Sequence, residues 1–215
     1  MLDTVRERRF QAIGLSCEGG RIYPHVLGTI KGISKSHLVR YEWATPYCAG
    51  KSVLDYGCGV GYGSYVVSAV ASSVRGFDIS AEALKWAEYY ARSRDNLVFA
   101  NQLPDEVFDC VTCFECIEHV PNPDEVLDWL AGHLREYLFI STPIAETGRP
   151  VKNPHHLREF AEEEFLAMLS TRFAIDETRI QVRSRAGLQH GLPRDGNAST
   201  HRGQVVVCRC KPIVR

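Results

Sequence analysis

From Lys51 onward, apolar runs short enough to be buried strands alternate with amphipathic stretches. Residues 52–56 form the first such run, and a helical stretch follows over 63–71. Residues 73–78 read as a second strand that ends in an acid. Ser80 then caps a helix over 81–92, with Glu82 in its first turn, where a carboxylate meets the positive end of the helix dipole. Residues 96–100 and 108–114 supply a third and a fourth strand. A helix over 123–134 opens with Asp124 and Glu125, and a fifth strand at 137–141 is stopped by Pro143. An acidic first turn introduces a helix at 162–170, and late strands at 175–183 and 204–210 flank a polar loop. Five strand–helix units and a terminal strand pair predict an α/β fold, a mostly parallel sheet with helices on both faces.

The flanks break this rhythm. Residues 1–41 are punctuated by Gly14, Gly19, Gly20, Gly28 and Gly32, so short helices and loops forming a cap are expected, with the main domain at 42–215. Helical spacing through Leu38, Tyr41 and Ala44 leads from residue 36 toward the core, and Pro46 limits its length. The loop at 184–203 is long for a compact domain and begins at the carboxyl end of a strand, where open sheets bind ligands. It reads equally as a functional loop or as a disordered surface loop.

Composition narrows the function classes. With 215 residues, 45% of them hydrophobic, the chain can bury one full core. A formal net charge of −1 offers no basic excess, which argues against a nucleic-acid partner. No apolar run approaches the ~20 residues of a membrane span. The first nine residues are charged and lack an apolar signal core, so a cytoplasmic location is expected. Eight cysteines raise the question of a metal, but Cys110, Cys113 and Cys116 step by three along a strand-like run. That step sends neighbours to opposite faces, which suits reduced, buried thiols better than a zinc site.

The most informative segment is Val53-Leu54-Asp55-Tyr56-Gly57-Cys58-Gly59-Val60-Gly61-Tyr62-Gly63-Ser64. Glycines at alternate positions let the backbone turn sharply and approach a ligand closely. Asp55 at the strand end is expected to face that ligand. A carboxylate there opposes a phosphate and favours a ligand with positive or hydroxyl groups.

These residues resemble the first motif of class I S-adenosylmethionine-dependent methyltransferases. Val74-Arg75-Gly76-Phe77-Asp78-Ile79-Ser80 resembles the second. The run from Phe108 to Val120, with Phe114, Glu115, Glu118 and His119, resembles the fourth-strand motif. Phe139-Ile140-Ser141-Thr142-Pro143 resembles the fifth. The resemblance implies a Rossmann-like seven-stranded sheet of order 3-2-1-4-5-7-6 and S-adenosyl-L-methionine as cofactor. It implies that Gly57, Cys58, Gly59 and Gly61 cradle the methionine end, with Phe114 and Glu115 beside them and Arg40 and Tyr41 as cover. Asp78 would accept from the ribose hydroxyls, and Ile79 with Leu103 would flank the adenine. It also gives Asp55 a second reading, as support for the glycine turn. One departure stands out: where the family often carries Gly-Asp-Ala, this chain reads Ala100-Asn101-Gln102-Leu103-Pro104, so the adenine contact falls to Asn101 or Gln102.

Methyl transfer to oxygen needs positioning and a base. His119, just past the fourth strand, is the candidate base, and His155 and His156 lie in a segment able to approach it. The arrangement resembles bacterial sugar and small-molecule O-methyltransferases, including relatives of the ubiquinone-pathway type, which implies a small-molecule or sugar acceptor. An amine acceptor, needing less help from a base, is a further reading. In another, Glu115, Glu118, His119 and His156 match the metal pattern of small-RNA 3′-terminal 2′-O-methyltransferases. A protein that binds the cofactor without catalysis is the remaining alternative.

Overall fold

The computed structural model describes residues 35–144, 155–182, 188–190 and 204–213. The expected cap over residues 1–34 lies outside them, as does most of the 184–203 loop. Helix α1 (Lys35–Ala44) enters the fold and passes at Thr45–Cys48 into a 3-10 turn with Pro46 near its start. The expected division at 41/42 therefore falls inside α1. Strand β1 (Ser52–Tyr56), α2 (Tyr62–Val67), β2 (Ser73–Phe77), α3 (Ala81–Ala91), β3 (Leu97–Ala100) and β4 (Phe108–Phe114) follow. A 3-10 turn at Ile117–His119 precedes α4 (Pro123–Gly132), β5 (Leu134–Pro143), α5 (Glu162–Ser170), β6 (Phe173–Val182), β7 (Leu188–His190) and β8 (Gln204–Pro212).

The strands form one sheet in the order β3-β2-β1-β4-β5-β8-β6-β7. Strands β1 to β5 pair in parallel, and β8 runs antiparallel between β5 and β6. This is the expected 3-2-1-4-5-7-6 arrangement with one addition. Leu188–His190, inside the predicted loop, pairs antiparallel with β6 and extends the sheet edge.

Strand periodicity sorts the core onto two faces. Leu138 and Ile140 of β5 pack on one face with Leu127 and Leu130 of α4 and Phe165 and Leu169 of α5. Phe139 packs on the other, with Tyr41 of α1 and Val67 of α2. Cys110 and Cys113 of β4 fall into opposite clusters, as a three-residue step dictates. No helix among the described residues is long and apolar enough to cross a membrane.

Local chemistry sets most boundaries. Ser80 accepts from the Ala83 N–H at 3.1 Å and starts α3. Helix α2 ends earlier than its apolar pattern, because Ala69 and Val70 donate to Val66 and Val67, tightening the chain into 3-10 geometry. Strand β5 begins three residues before Tyr137, since Leu134 already pairs with Phe108 across an irregularity that absorbs Arg135 and Glu136. No helix separates β3 from β4, so one of the five expected strand–helix units is absent. The carboxyl ends of β1, β2, β4 and β5 converge at the point where strand order reverses, which is where such sheets bind ligands.

Candidate active site

The glycine loop owes its shape to three left-handed residues. Gly57, Gly59 and Gly61 have φ of 74°, 55° and 75°. The N–H groups of Gly57 and Cys58 both donate to the Phe77 carbonyl, at 2.8 and 2.9 Å, tying the loop to the end of β2. At Gly57 the approach is also close: a Cβ there would lie 2.4 Å from Cys116 Sγ.

Asp78 completes the tie. Its Oδ2 accepts from the Gly59 N–H and its Oδ1 from the Ser80 N–H, each at 2.9 Å. The carboxylate is nearly buried yet lines a cavity of about 440 Å³ above the loop. Both oxygens already face N–H donors, so an isosteric amide at this position would turn its own NH2 against one of them. Asp78→Asn is therefore expected to weaken cofactor affinity almost as much as Asp78→Ala, by about tenfold or more, since bonds to a charged acceptor contribute about 1.5–3 kcal/mol each. Calorimetric titration with S-adenosylhomocysteine measures this, and unchanged affinity in both variants contradicts the ribose role.

Asp55 corrects the sequence reading that had it face the ligand. It is 1% exposed, lies beneath the loop and does not line the cavity. Tyr41 Oη and Thr112 Oγ1 donate to its Oδ1 at 3.1 and 2.8 Å, and Ser64 Oγ donates to Oδ2 at 2.5 Å. Burial pushes its carboxyl above the ordinary range, although the three hydroxyls pull it back. Asp55 thus joins α1, β1, α2 and β4 under the cradle, which is the supporting role implied by its second reading.

Other candidates divide in the same way. Tyr41, Gly57, Cys58, Gly59, Asp78, Ile79, Phe114 and Glu115 line the cavity, while Gly61, Arg40, Asn101 and Gln102 do not. Gly61 instead sits over Ala87 and Phe99 as the N-cap of α2. Asn101 and Gln102 are exposed beyond the end of β3, and Leu103 also lies off the cavity. Ile79 carries apolar surface at the cavity rim and is 82% exposed. Burial holds the Cys58 thiol well above its usual pKa, making it a small lining group and not a nucleophile.

Arg40 is spent inside the protein. Its Nη1 donates to Gln181 Oε1 at 2.8 Å and lies 3.7 Å from Glu115 Oε1, while Nη2 lies 3.3 Å from His37 Nδ1. Glu115 itself has φ of 53°, a left-handed backbone that costs a non-glycine residue about 1–2 kcal/mol. Ser141 holds it there, accepting the Glu115 N–H on its backbone oxygen and donating its hydroxyl to Glu115 Oε1 at 3.0 Å.

A histidine cluster closes the far side of the cavity. The Glu118 carbonyl accepts from the Leu157 and Arg158 N–H groups, at 2.9 and 3.2 Å, and so pins residues 155–158 against the turn at Ile117–His119. His119 Nδ1 lies 2.7 Å from the His155 carbonyl. A carbonyl only accepts, so Nδ1 carries the proton and Nε2 holds the lone pair of the neutral ring. The His119 and His156 rings meet edge to face with centroids 4.9 Å apart. His156 Nδ1 donates to Glu159 Oε1 at 3.2 Å, and burial pushes its pKa below the ordinary histidine value. Glu118 is 0% exposed; Thr142 Oγ1 donates to its Oε2 at 3.3 Å. Burial, followed by the neighbouring Glu115 charge, pushes the Glu118 carboxyl well above its usual value. The structure therefore brings His119, His155 and His156 to the cavity together, with His155 acting on His119 through its backbone.

Comparison with known proteins reads this geometry. The sequence profile of the methyltransferase-domain family matches residues 37–193. A probable S-adenosylmethionine-dependent methyltransferase of Mycobacterium tuberculosis is 31% identical over 185 residues, which span 80% of this chain and 64% of that protein. The chain thus spans less than two thirds of that relative's length. A ubiquinone biosynthesis O-methyltransferase of Glaesserella parasuis is 36% identical over 107 residues, 43% of this chain and 45% of its own. Among solved structures, the N-methyltransferase NodS of Bradyrhizobium japonicum, in complex with S-adenosyl-L-homocysteine, shares the fold. Its TM-score is 0.67 at 13% identity, covering 97% of this chain and 99% of that one.

The chain belongs to the class I S-adenosylmethionine-dependent methyltransferase family.

Its cavity suits that cofactor. A Cβ built on Gly59 meets nothing within 4 Å, so the cradle backbone faces open space. Asp78 and Glu115 put carboxylates beside it, as a ligand with a sulfonium and an ammonium requires. The methyltransferase also lines its cavity with His37, Tyr56 and Tyr62, which the motifs did not single out. His37 was findable, because it lies four residues before Tyr41 and shares its helix face. Tyr56 and Tyr62 flank the glycines directly, where an aromatic reads equally well as core.

Proposed function

We propose that this methyltransferase methylates a hydroxyl oxygen of a small molecule or sugar, with His119 as the base. The observation that carries the reading is the His119 tautomer. The His155 carbonyl fixes the proton on Nδ1, which leaves the lone pair on Nε2 of a ring that lines the cavity. When bound, S-adenosylmethionine supplies an electrophilic methyl group on a sulfonium. The chain holds it through the loop at Gly57–Gly59 and through Asp78, while Glu118 and His156 back the His119 ring.

The charge of the lining supports a neutral acceptor. Asp78 and Glu115 bring carboxylates to the cavity, and no lysine or arginine lines it among the described residues. An anionic acceptor such as RNA would meet repulsion there. The similarity to a ubiquinone biosynthesis O-methyltransferase points toward oxygen as the acceptor atom. A cytoplasmic location accords with the free thiols of all seven described cysteines.

His119→Ala is expected to lower turnover about 10²–10⁴-fold, the usual contribution of a general base, with S-adenosylhomocysteine affinity nearly unchanged. Turnover that survives the substitution removes His119 from the base role. Loss of cofactor affinity instead would place His119 in the cradle.

A further inference from the structure

We propose that the cofactor's adenine lies on an open apolar ledge with its N6 edge in solvent, so that this methyltransferase takes cofactors enlarged at adenine N6. The placement rests on the ribose role of Asp78. A nucleoside held there by its hydroxyls lays its base outward past Ile79, toward the ends of β2 and β3.

Two observations leave that edge uncovered. The first is the path of the chain from β3 to β4. Phe77 pairs with both Tyr56 and Ala100, and Asp55 pairs with Thr112, so Ala100 stands level with Cys113, five residues beyond Phe108. Strands β2 and β1 lie between β3 and β4. Residues 101–107 must therefore descend about 17 Å and cross about 14 Å, a straight line of about 22 Å. The eight steps from Ala100 to Phe108 reach at most about 26–29 Å, and arching over the side chains of β2 and β1 consumes part of that. The segment is drawn nearly straight, with no length left to form a helix or to double back over the carboxyl edge of the sheet. Its far end is fixed at the opposite, amino edge. There the Phe108 N–H donates to the His133 carbonyl at 2.9 Å, and Asp105 lies 3.9 Å from His133 Nε2. Arg75, within β2, donates to Glu106 Oε1 at 2.8 Å.

The second is what remains at the near end. Asn101, Gln102 and Leu103 are exposed, and no residue of the β3–β4 connection lines the cavity. The Ala100 carbonyl, last in β3, accepts from the Asp78 N–H at 3.3 Å. What the chain offers the base is Ile79, a large apolar side chain whose exposed surface gains from being covered by a stacked ring. A site that hydrogen-bonds a ligand group rejects an altered group by about 10⁴-fold or more, whereas an open apolar face has nothing to leave unpaired. Discrimination at N6 is therefore weak.

Calorimetric titration of the full chain with S-adenosylhomocysteine, and with its N6-benzyl derivative, tests this on the unaltered protein. The two dissociation constants are expected to agree within about threefold. A larger loss for the derivative shows that the edge is covered and overturns the proposal. Asn101→Ala and Gln102→Ala should each leave both ligands within the same factor; a greater loss puts an amide on the adenine and overturns it too. Ile79→Ala should weaken both ligands about three- to tenfold, and unchanged affinity removes the ledge. Asp78→Asn should weaken both equally, because they share the ribose. Unchanged affinity there withdraws the ribose role and this placement with it, whereas a loss confined to the derivative in the wild type overturns the open edge alone. Only binding is read, so no outcome depends on the acceptor or on His119.

Discussion

Gly63→Ala is expected to destabilise the protein by about 3 kcal/mol, the upper end for overpacking a core. In an ordinary helix interior the same change stabilises by about 1 kcal/mol, so even its sign is diagnostic. The added Cβ would lie 1.9, 2.2 and 2.4 Å from three atoms of the Tyr41 ring. That ring has no room to retreat. It meets Phe114 and Tyr62 edge to face, with centroids 4.9 and 5.7 Å away, and its hydroxyl is bonded to Asp55. Denaturant melts would measure the loss. In a Tyr41→Ala background the penalty should largely vanish, because the two sites are in contact and their effects do not add. Equal penalties in both backgrounds would show that the ring is not the obstacle.

Asp55→Ala carries the other large effect. It leaves the hydroxyls of Tyr41, Ser64 and Thr112 without their shared acceptor. A buried donor left unpaired costs about 1–3 kcal/mol, so a total of about 3–5 kcal/mol is expected. Asp55→Asn keeps an acceptor oxygen and should cost less. The two also differ in pH dependence. Burial raises the Asp55 pKa in the folded state, so the folded chain binds that proton more tightly than the unfolded one. Its contribution to stability is therefore greatest below the unfolded value of about 3.9 and falls as pH rises through the folded pKa. Subtracting Asp55→Asn melts from wild-type melts at each pH isolates this slope. A difference that grows more favourable to the wild type as pH rises would contradict it.

Much of the fold was legible because its signals are local. The Ser80 cap, the alternate glycines and the acid closing β2 each depend on a few neighbouring residues. What escaped depends on distant partners. Arg40 reads as a cover for the cofactor until Gln181, 141 positions away, takes its guanidinium. Asp55 reads as facing a ligand until hydroxyls from α1, α2 and β4 enclose it. The left-handed backbone of Glu115 has no signature in a residue type that rarely adopts it. The three histidines could be named from sequence, but not the backbone bonds from residues 157 and 158 to Glu118 that assemble them. Strand β7 is too short for alternation to reveal, and its partner β6 alone defines it.

Strand β8 lies between β5 and β6 yet follows both in the chain. During synthesis, β5 and β6 therefore leave the ribosome before the strand that must lie between them. Until Gln204–Pro212 emerges, the free edge of β5 and its apolar faces stay open to wrong partners. Placing β8 is thus an insertion between two strands made earlier and not an addition at the rim, so chains truncated before residue 204 are expected to aggregate more readily than the full chain, as light scattering of the two would show.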